Sequence, residues 1–319
     1  MKIMKNLFKI SGLAGIALMA MVSCSKNDDT AMEGESYNTS FEVTDAPIDN
    51  ADVEAVFVTI ANVTVDGKAL EGFSATTVNL AALVNGKTAA LGNLDLQARS
   101  YSDIVFELDF DKDVNGDAPG CYVEKANGEK DALVAASNKI KITDSFEVLA
   151  QAKNVIVIDF DLRKTIKEEK SALSSDFDFV TMSELSAGIR TVNKETTGKI
   201  SGTASDSQNT SDKIIVYAYK KGTFNADVET KGKGESGVTF ANAVTSAEVK
   251  KGITSSYSLD FLEEGEYELI FASYKEEGNG FSFNSLLEVE SATGLKLGLI
   301  DVNSALNLTV NVKVTGAVQ

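Results

Sequence analysis

Apolar and polar residues alternate with a period of two along most of the chain. Across residues 104–110, Ile104, Phe106, Leu108 and Phe110 share one face, and Val105, Glu107 and Asp109 take the other. Residues 155–162 repeat the device, with Ile156, Ile158, Phe160 and Leu162 inward and Asp159 and Asp161 outward. Both stretches read as half-buried antiparallel strands. Residues 53–65 form a longer run whose phase slips near Asn62, which predicts a bulge or a bend between sheets. Asp66-Gly67 follows it as a hairpin signal, and Asn85-Gly86, Asn115-Gly116 and Asn127-Gly128 punctuate later turns. A single short helix is expected within residues 80–91.

The same pattern divides the chain. Residues 167–171 read as a charged loop, with residues 177–180 and 185–189 as further strands of the first half. A polar linker is expected at residues 193–197. Beyond it, residues 213–220, 256–261 and 266–274 read as strands. The end alternates Leu306, Leu308, Val310, Val312 and Val314 inward with Asn307, Thr309, Asn311 and Lys313 outward. Two prolines and frequent glycine-containing turns fit a β-sandwich pattern.

The first residues follow a different rule. Lys2, Lys5 and Lys9 precede an apolar run from Ile10 to Ala20 and the step Met21-Val22-Ser23, ahead of Cys24. A charged start, a short apolar middle and a small residue before the cut describe a secretory signal peptide. The run is shorter than the ~20 residues a membrane-spanning helix requires. With Cys24 at the cut, the segment resembles a bacterial lipobox, although Met21 stands where Leu is usual. That resemblance implies acylation of Cys24, and several acyl chains hold a protein on a membrane where one is marginal. Ser25-Lys26-Asn27-Asp28-Asp29 resembles the export signal of Bacteroidetes-type lipoproteins, which implies the outer face of the outer membrane. The alternative is a plain solvated tether. Asp29-Thr30-Ala31 resembles the O-glycosylation acceptor of that phylum, with Thr30 as the modified residue.

Composition narrows the function classes. The net charge is −17 over 319 residues, with acids spread along the chain. Such a chain repels phosphate, so nucleic acid is not an expected partner, and anionic membrane surfaces repel it as well. There is no histidine, which removes Ser-His-Asp and Cys-His machinery and the common zinc sites. The only cysteines are Cys24 and Cys121; with Cys24 acylated, Cys121 is expected as a small buried apolar residue. The absence of tryptophan weakens the case for a sugar-stacking platform, although Tyr and Phe remain.

One segment carries candidate chemistry. Asp111-Lys112-Asp113-Val114-Asn115-Gly116-Asp117 sets oxygen side chains at alternate positions with glycine sixth, the front half of a calcium loop. Asp111, Asp113, Asn115 and Asp117 are the candidate ligands. Tyr122 stands where the closing acid belongs and a strand, not a helix, leads in, so a hairpin loop held by Asx-turns is the competing reading. Glu263, Glu264, Glu266 and Glu268 lie in a turn and on an alternating strand, where nothing separates their acidities for glycosidase work. No cofactor other than this calcium is expected, and no enzyme activity.

Two resemblances complete the picture. Val43-Thr44-Asp45-Ala46-Pro47, Val78-Asn79-Leu80, Ser100-Tyr101-Ser102-Asp103-Ile104 and Phe160-Asp161-Leu162-Arg163-Lys164 together resemble a bacterial domain-of-unknown-function family, number forty-three eighty-two, found in secreted lipoproteins. The resemblance spans about residues 39–190 and implies fold and location but no activity. Gly198 to Gly202, residues 214–219, Tyr257-Ser258-Leu259-Asp260-Phe261 and Gly265-Glu266-Tyr267 resemble prealbumin-like sandwiches of the carboxypeptidase-regulatory and starch-binding-like type. Some relatives of that type bind glycans and many are spacers; Tyr257 and Tyr267 are expected between the sheets.

The expected architecture is therefore all-β, with two antiparallel β-sandwich domains in tandem after a signal peptide and a short disordered tether. The divisions are 1–23 signal peptide, 24–38 lipidated cysteine and tether, 39–192 first domain and 198–319 second, prealbumin-like domain. The expected protein is a non-enzymatic, monomeric surface lipoprotein with a binding, accessory or adhesion role. It is held to the outer membrane by its lipid and presents loops to a glycan or a protein. The alternative is a fimbrillin-like pilus subunit. Such subunits are cleaved after an N-terminal arginine, and the only arginines here are Arg99, Arg163 and Arg190.

Overall fold

A computed structural model describes residues 34–46, 53–170, 175–209, 211–250, 255–277 and 280–318. Cys24, Thr30, the signal peptide and most of the tether lie outside them. Glu35 to Gln319 form one unit.

The first half contains β1 (Ser36–Ala46), β2 (Val53–Val65), β3 (Ala89–Gln97), β4 (Ile104–Leu108), β5 (Tyr122–Lys125), β6 (Lys130–Ala132), β7 (Lys139–Ile142) and β8 (Asn154–Asp161). Helix α1 (Leu162–Thr165) follows, then β9 (Ile166–Lys170), β10 (Ser175–Phe179), α2 (Met182–Ala187) and β11 (Ile189–Asn193). One sheet runs β11-β8-β1-β3 and the other β7-β4-β2-β5-β6. Their inner faces close one core around Phe41, Ile60, Phe106, Ile158 and Phe160. Asn62 marks a bulge in the pairing of β2 with β4, where the phase of the sequence slips. Asp66 and Gly67 take left-handed φ of 49° and 74°, as a two-residue hairpin turn between Val65 and Lys68 requires.

The second half contains β12 (Thr197–Ser205), β13 (Lys213–Lys220), β14 (Thr245–Glu248), β15 (Ser256–Glu263), β16 (Gly265–Glu277), β17 (Gly280–Ser291) and β18 (Val312–Ala317). One curled sheet runs β14-β13-β16-β17-β18-β12-β15. Its inner face buries Val216, Leu259, Phe271 and Val310. Tyr257 and Tyr267 lie in this core, their hydroxyls donating to the Val310 carbonyl at 2.7 Å and the Glu263 carbonyl at 2.8 Å. A second aromatic cluster on Tyr217, Tyr219, Phe240 and Tyr274 covers another surface of the sheet.

The architecture is all-β, two β-sandwiches in tandem, and most pairs are antiparallel. Two pairings are parallel. β1 runs parallel to β8 from Thr39↔Asn154 to Ala46↔Asp161, and β12 runs parallel to the C-terminal segment. Gly198 and Gly202 are explained by that second pairing. A Cβ at Gly198 would meet the Asn303 carbonyl, and one at Gly202 the Val310 carbonyl.

Four local expectations are corrected. Residues 80–91 hold only a 3-10 turn at Leu80–Ala82, and Ala89 already begins β3. The charged residues 167–170 form β9, because β10 pairs with them from Ile166↔Phe179 to Lys170↔Ser175. Residues 185–187 end α2, because Thr181 and Glu184 make a reciprocal capping box that starts a helix. The terminal alternation is broken: Asn307–Thr309 and β18 are separate strands, although Val310, Val312 and Val314 are buried as expected.

Candidate functional site at the junction of the two halves

The loop 111–117 is exposed and its acids serve the loop itself. Asp113 Oδ1 accepts from the backbone N–H groups of Asp117 (2.9 Å) and Asn115 (2.8 Å). These bonds, the one from Asp117 first, hold the Asp113 carboxyl below its usual range. Asp109 Oδ1 caps the lead-in, accepting from Asp111 N–H at 3.0 Å and Lys112 N–H at 3.1 Å. Among the described residues, no group of three or more His, Cys, Asp or Glu is gathered to hold a metal. Cys121 is buried, and burial pushes its thiol up to about 12. Glu264 accepts from Ser304 N–H at 3.0 Å, Glu266 pairs with Lys221 at 2.9 Å, and Glu268 accepts from Phe224 N–H at 3.0 Å.

The charged groups that the fold concentrates lie elsewhere. β8 is buried on both faces. Its Ile156, Ile158 and Phe160 face the first core, whereas Val157 packs with Val192 and Phe261 of the second half. Asp159 and Asp161 share the Val157 face by the strand's period of two. They therefore meet the second half instead of solvent, which corrects the expected outward face.

Around them the sequence signatures converge. Asp161 Oδ2 accepts from Arg163 at 2.6 Å and pairs with Lys164 at 3.3 Å. Arg163 reaches the Phe240 carbonyl at 3.5 Å and lies 5.0 Å from the Tyr217 ring. Lys164 Nζ donates to the Ala243 carbonyl at 2.5 Å. Arg190 Nε donates to Asp159 at 2.9 Å while its Nη1 donates to the Phe261 carbonyl at 2.8 Å. Asp45 Oδ1 accepts from Leu162 N–H at 3.0 Å, tying the end of β1 to the start of α1. Arg163 and Lys164 of the Asp-Leu-Arg-Lys run thus fasten the first half to the second, and Asp45 of the other signature holds the start of that run in place.

Burial sets the acidities here. It raises Asp45 well above the usual carboxylate range, with the charge of Asp159 adding to it. Burial also raises Asp159, against the opposing pull of Arg190. Lys164 is lowered by the same desolvation. Glu184 goes the other way. Desolvation raises it, but Ser236, through its hydroxyl (2.6 Å) and N–H (3.1 Å), and the cap with Thr181 outweigh this and bring it to about 2. A cleft of about 330 Å³ opens beside Glu184, between α2 and residues 233–242. Its lysines are engaged, Lys164 as above and Lys233 donating to Asn242 at 2.9 Å. Chemically, the arrangement fixes the orientation of two domains.

Alternation alone did not reveal the junction. A signal was present: Val155 and Val157 share the face of Asp159 and Asp161, and a solvent face rarely carries two adjacent β-branched apolar positions at this spacing.

Residues 38–175 match the family model described as a domain of unknown function (DUF4382). The matched part contains Asp45 and the Asp161–Lys164 run but neither Glu184 nor Arg190. No curated protein matches the chain. Among solved structures, the chain is similar to the Bacillus anthracis TIE protein at 12% identity, covering 87% of this chain and 34% of that one, with a TM-score of 0.18. It is similar to BcpA, the major pilin subunit of Bacillus cereus, at 12% identity, covering 88% and 70%, TM-score 0.20. It is similar to the pilus-presented adhesin Spy0125 (Cpa) at 9% identity, covering 88% and 99%, TM-score 0.22. The chain thus spans about a third of the length of the TIE protein. At these TM-scores the likenesses carry no argument about shape or activity.

Proposed function

We propose that the protein is a non-enzymatic, lipid-anchored surface protein of binding or adhesion type. Cys24 is the anchor, the acidic segment behind it directs the chain to the outer face of the outer membrane, and the two sandwiches form a stiff arm that holds loops out to a glycan or protein. The observation that carries this reading is the junction. Its charged signature residues are enclosed between the halves and bonded to one another and to main-chain carbonyls, an arrangement suited to display and not to turnover. No helix among the described residues is long and apolar enough to cross a membrane. A Cys24→Ala variant releases the protein in soluble form and loses fatty-acid labelling, and protease added to intact cells removes the wild type. Labelling that persists in the variant, or protection from protease until the outer membrane is opened, overturns the reading.

The second reading is a fimbrillin-like pilus subunit. It is favoured by one feature: β1, the first described strand, lies inside its sheet between β8 and β3, so its removal would open a groove for a donor strand. Light scattering separates the two. The arm is monomeric; a subunit forms ladders of oligomers.

A further inference from the structure

At the junction a small polar cavity of about 20 Å³ has room for one water-sized particle. Asp45 and Asp159 reach it from the first half, and Ser246 and Asp260 from the second. Asp45, Asp159 and Ser246 are 6%, 3% and 3% exposed. One oxygen of each carboxylate is engaged: Asp45 Oδ1 by Leu162 N–H and Asp159 Oδ2 by Arg190. Among the described residues the other oxygens, Asp45 Oδ2 and Asp159 Oδ1, have no hydrogen-bond partner, and neither has the Ser246 hydroxyl. Asp260 pairs with Lys199 at 3.1 Å and accepts from Ser258. Gly86, at φ 76°, lies so close to Asp260 that a Cβ there would meet its carboxylate at 2.8 Å.

We propose that this cavity binds one hard metal cation of the calcium class, bridging the two halves through Asp45, Asp159 and Ser246. The donors are all oxygens, which suit calcium and not the softer metals that prefer imidazole or thiolate. A water molecule would satisfy hydrogen bonds but not charge. Among the described residues no cation pairs with Asp45, and a buried carboxylate without a counter-charge is costly. The competing occupant is a proton, since burial and the neighbouring Asp159 both raise the pKa of Asp45. The inference is independent of the loop 111–117 and of the surface-display reading.

The test uses the chain from residue 24 onward, made soluble by Cys24→Ala, melted in chelator and in calcium titrated to about 10 mM, above the ~10⁻⁴–10⁻³ M range of extracellular sites. The expected result is a saturable rise in Tm of about 2–4 °C with a stoichiometry of one ion by calorimetry. Asp45→Asn, which keeps the acceptor for Leu162 N–H, and Ser246→Ala each abolish the rise, and Asp113→Ala leaves it intact. Three results overturn the proposal: no saturable response, a response that survives Asp45→Asn, or one that vanishes with Asp113→Ala. In the proton case calcium is inert and Tm falls as pH rises above the ordinary carboxylate range. Should Asp45→Asn fail to fold, Ser246→Ala and the wild-type stoichiometry decide.

Discussion

The protein holds acids in two contrasting places. In loop 111–117 Asp111 and Asp117 are exposed, and the half-buried Asp113 is held by its own loop's N–H groups. At the junction Asp45, Asp159 and Asp161 are buried; Asp159 is paired with Arg190 and Asp161 with Arg163 and Lys164, and Asp45 and Asp159 tie together elements distant in sequence. The loop looks like a site in the sequence and folds as a turn. The junction looks like solvent-facing alternation and gathers the buried charge. A carboxylate acquires unusual properties from desolvation and fixed neighbours, neither of which depends on the spacing of acids along the chain.

The sharpest way to break this comparison is Asp161→Ala, which leaves Arg163 and Lys164 buried without their carboxylate. Removing one member of a buried charge pair costs about 3–5 kcal/mol, so urea unfolding should show a loss of that size. A loss no larger than that of an exposed acid would mean that the junction is not the fastening described here.

Gly234→Ala comes next. Gly234 adopts φ 76° and a Cβ there would run into the Glu184 carboxylate. Left-handed backbone costs an L-residue roughly 1–2 kcal/mol, and the displaced carboxylate also loses its bonds to Ser236. Thermal melts of the variant should fall accordingly, and a neutral substitution would detach Glu184 from the junction.

Glu184→Gln sharpens the comparison through pH. The folded pKa of Glu184 is lowered from 4.5 to about 2. Its contribution is therefore present above the unfolded value and lost as pH falls from about 4.5 towards 2. Glu184→Gln should flatten that acid limb in a stability–pH profile. Asp45, raised by burial, has the opposite sign: stability associated with its protonated form is lost as pH rises above 3.8 through the folded value. A profile lacking either limb would contradict the corresponding environment.

Asp113→Ala should give the smallest effect. It removes the loop's turn bonds at a half-buried position on the surface, and the melting temperature in chelator should move less than in any variant above. A large drop would place Asp113 among the buried acids and erase the contrast.

Much of the fold was legible along the chain. The phase slip at Asn62 marked the bulge in β2, residues 213–220 coincide with β13, and the inward positions 310, 312 and 314 are buried. The misses have physical causes. Thr181 and Glu184 carried a capping-box signal within a stretch that otherwise read as β. The charged residues of β9 become a strand because Phe177 and Phe179, opposite Glu168 and Ile166, supply a hairpin partner. The candidate calcium loop is oxygen-rich, and main-chain N–H groups engage Oδ1 of Asp113. The junction was missed because its partners, Phe240, Ala243 and Phe261, lie some 70 to 80 residues beyond Arg163 and Arg190.

What the sequence determined by itself was local: strands of period two, left-handed turns at Asp66-Gly67, and inward faces that must escape water. These follow from side-chain direction along an extended backbone and from turn geometry, and need only neighbouring residues. What tertiary structure alone decided was where each polar face lies. Asp159 on β8 and Glu107 on β4 occupy equivalent places in their alternation. Asp159 ends buried against Arg190 and the second half, and Glu107 stays at a partly exposed surface beside Lys139. Alternation requires only that a polar side chain avoid the apolar core. Whether water or a fixed cation then solvates it depends on which distant element packs there.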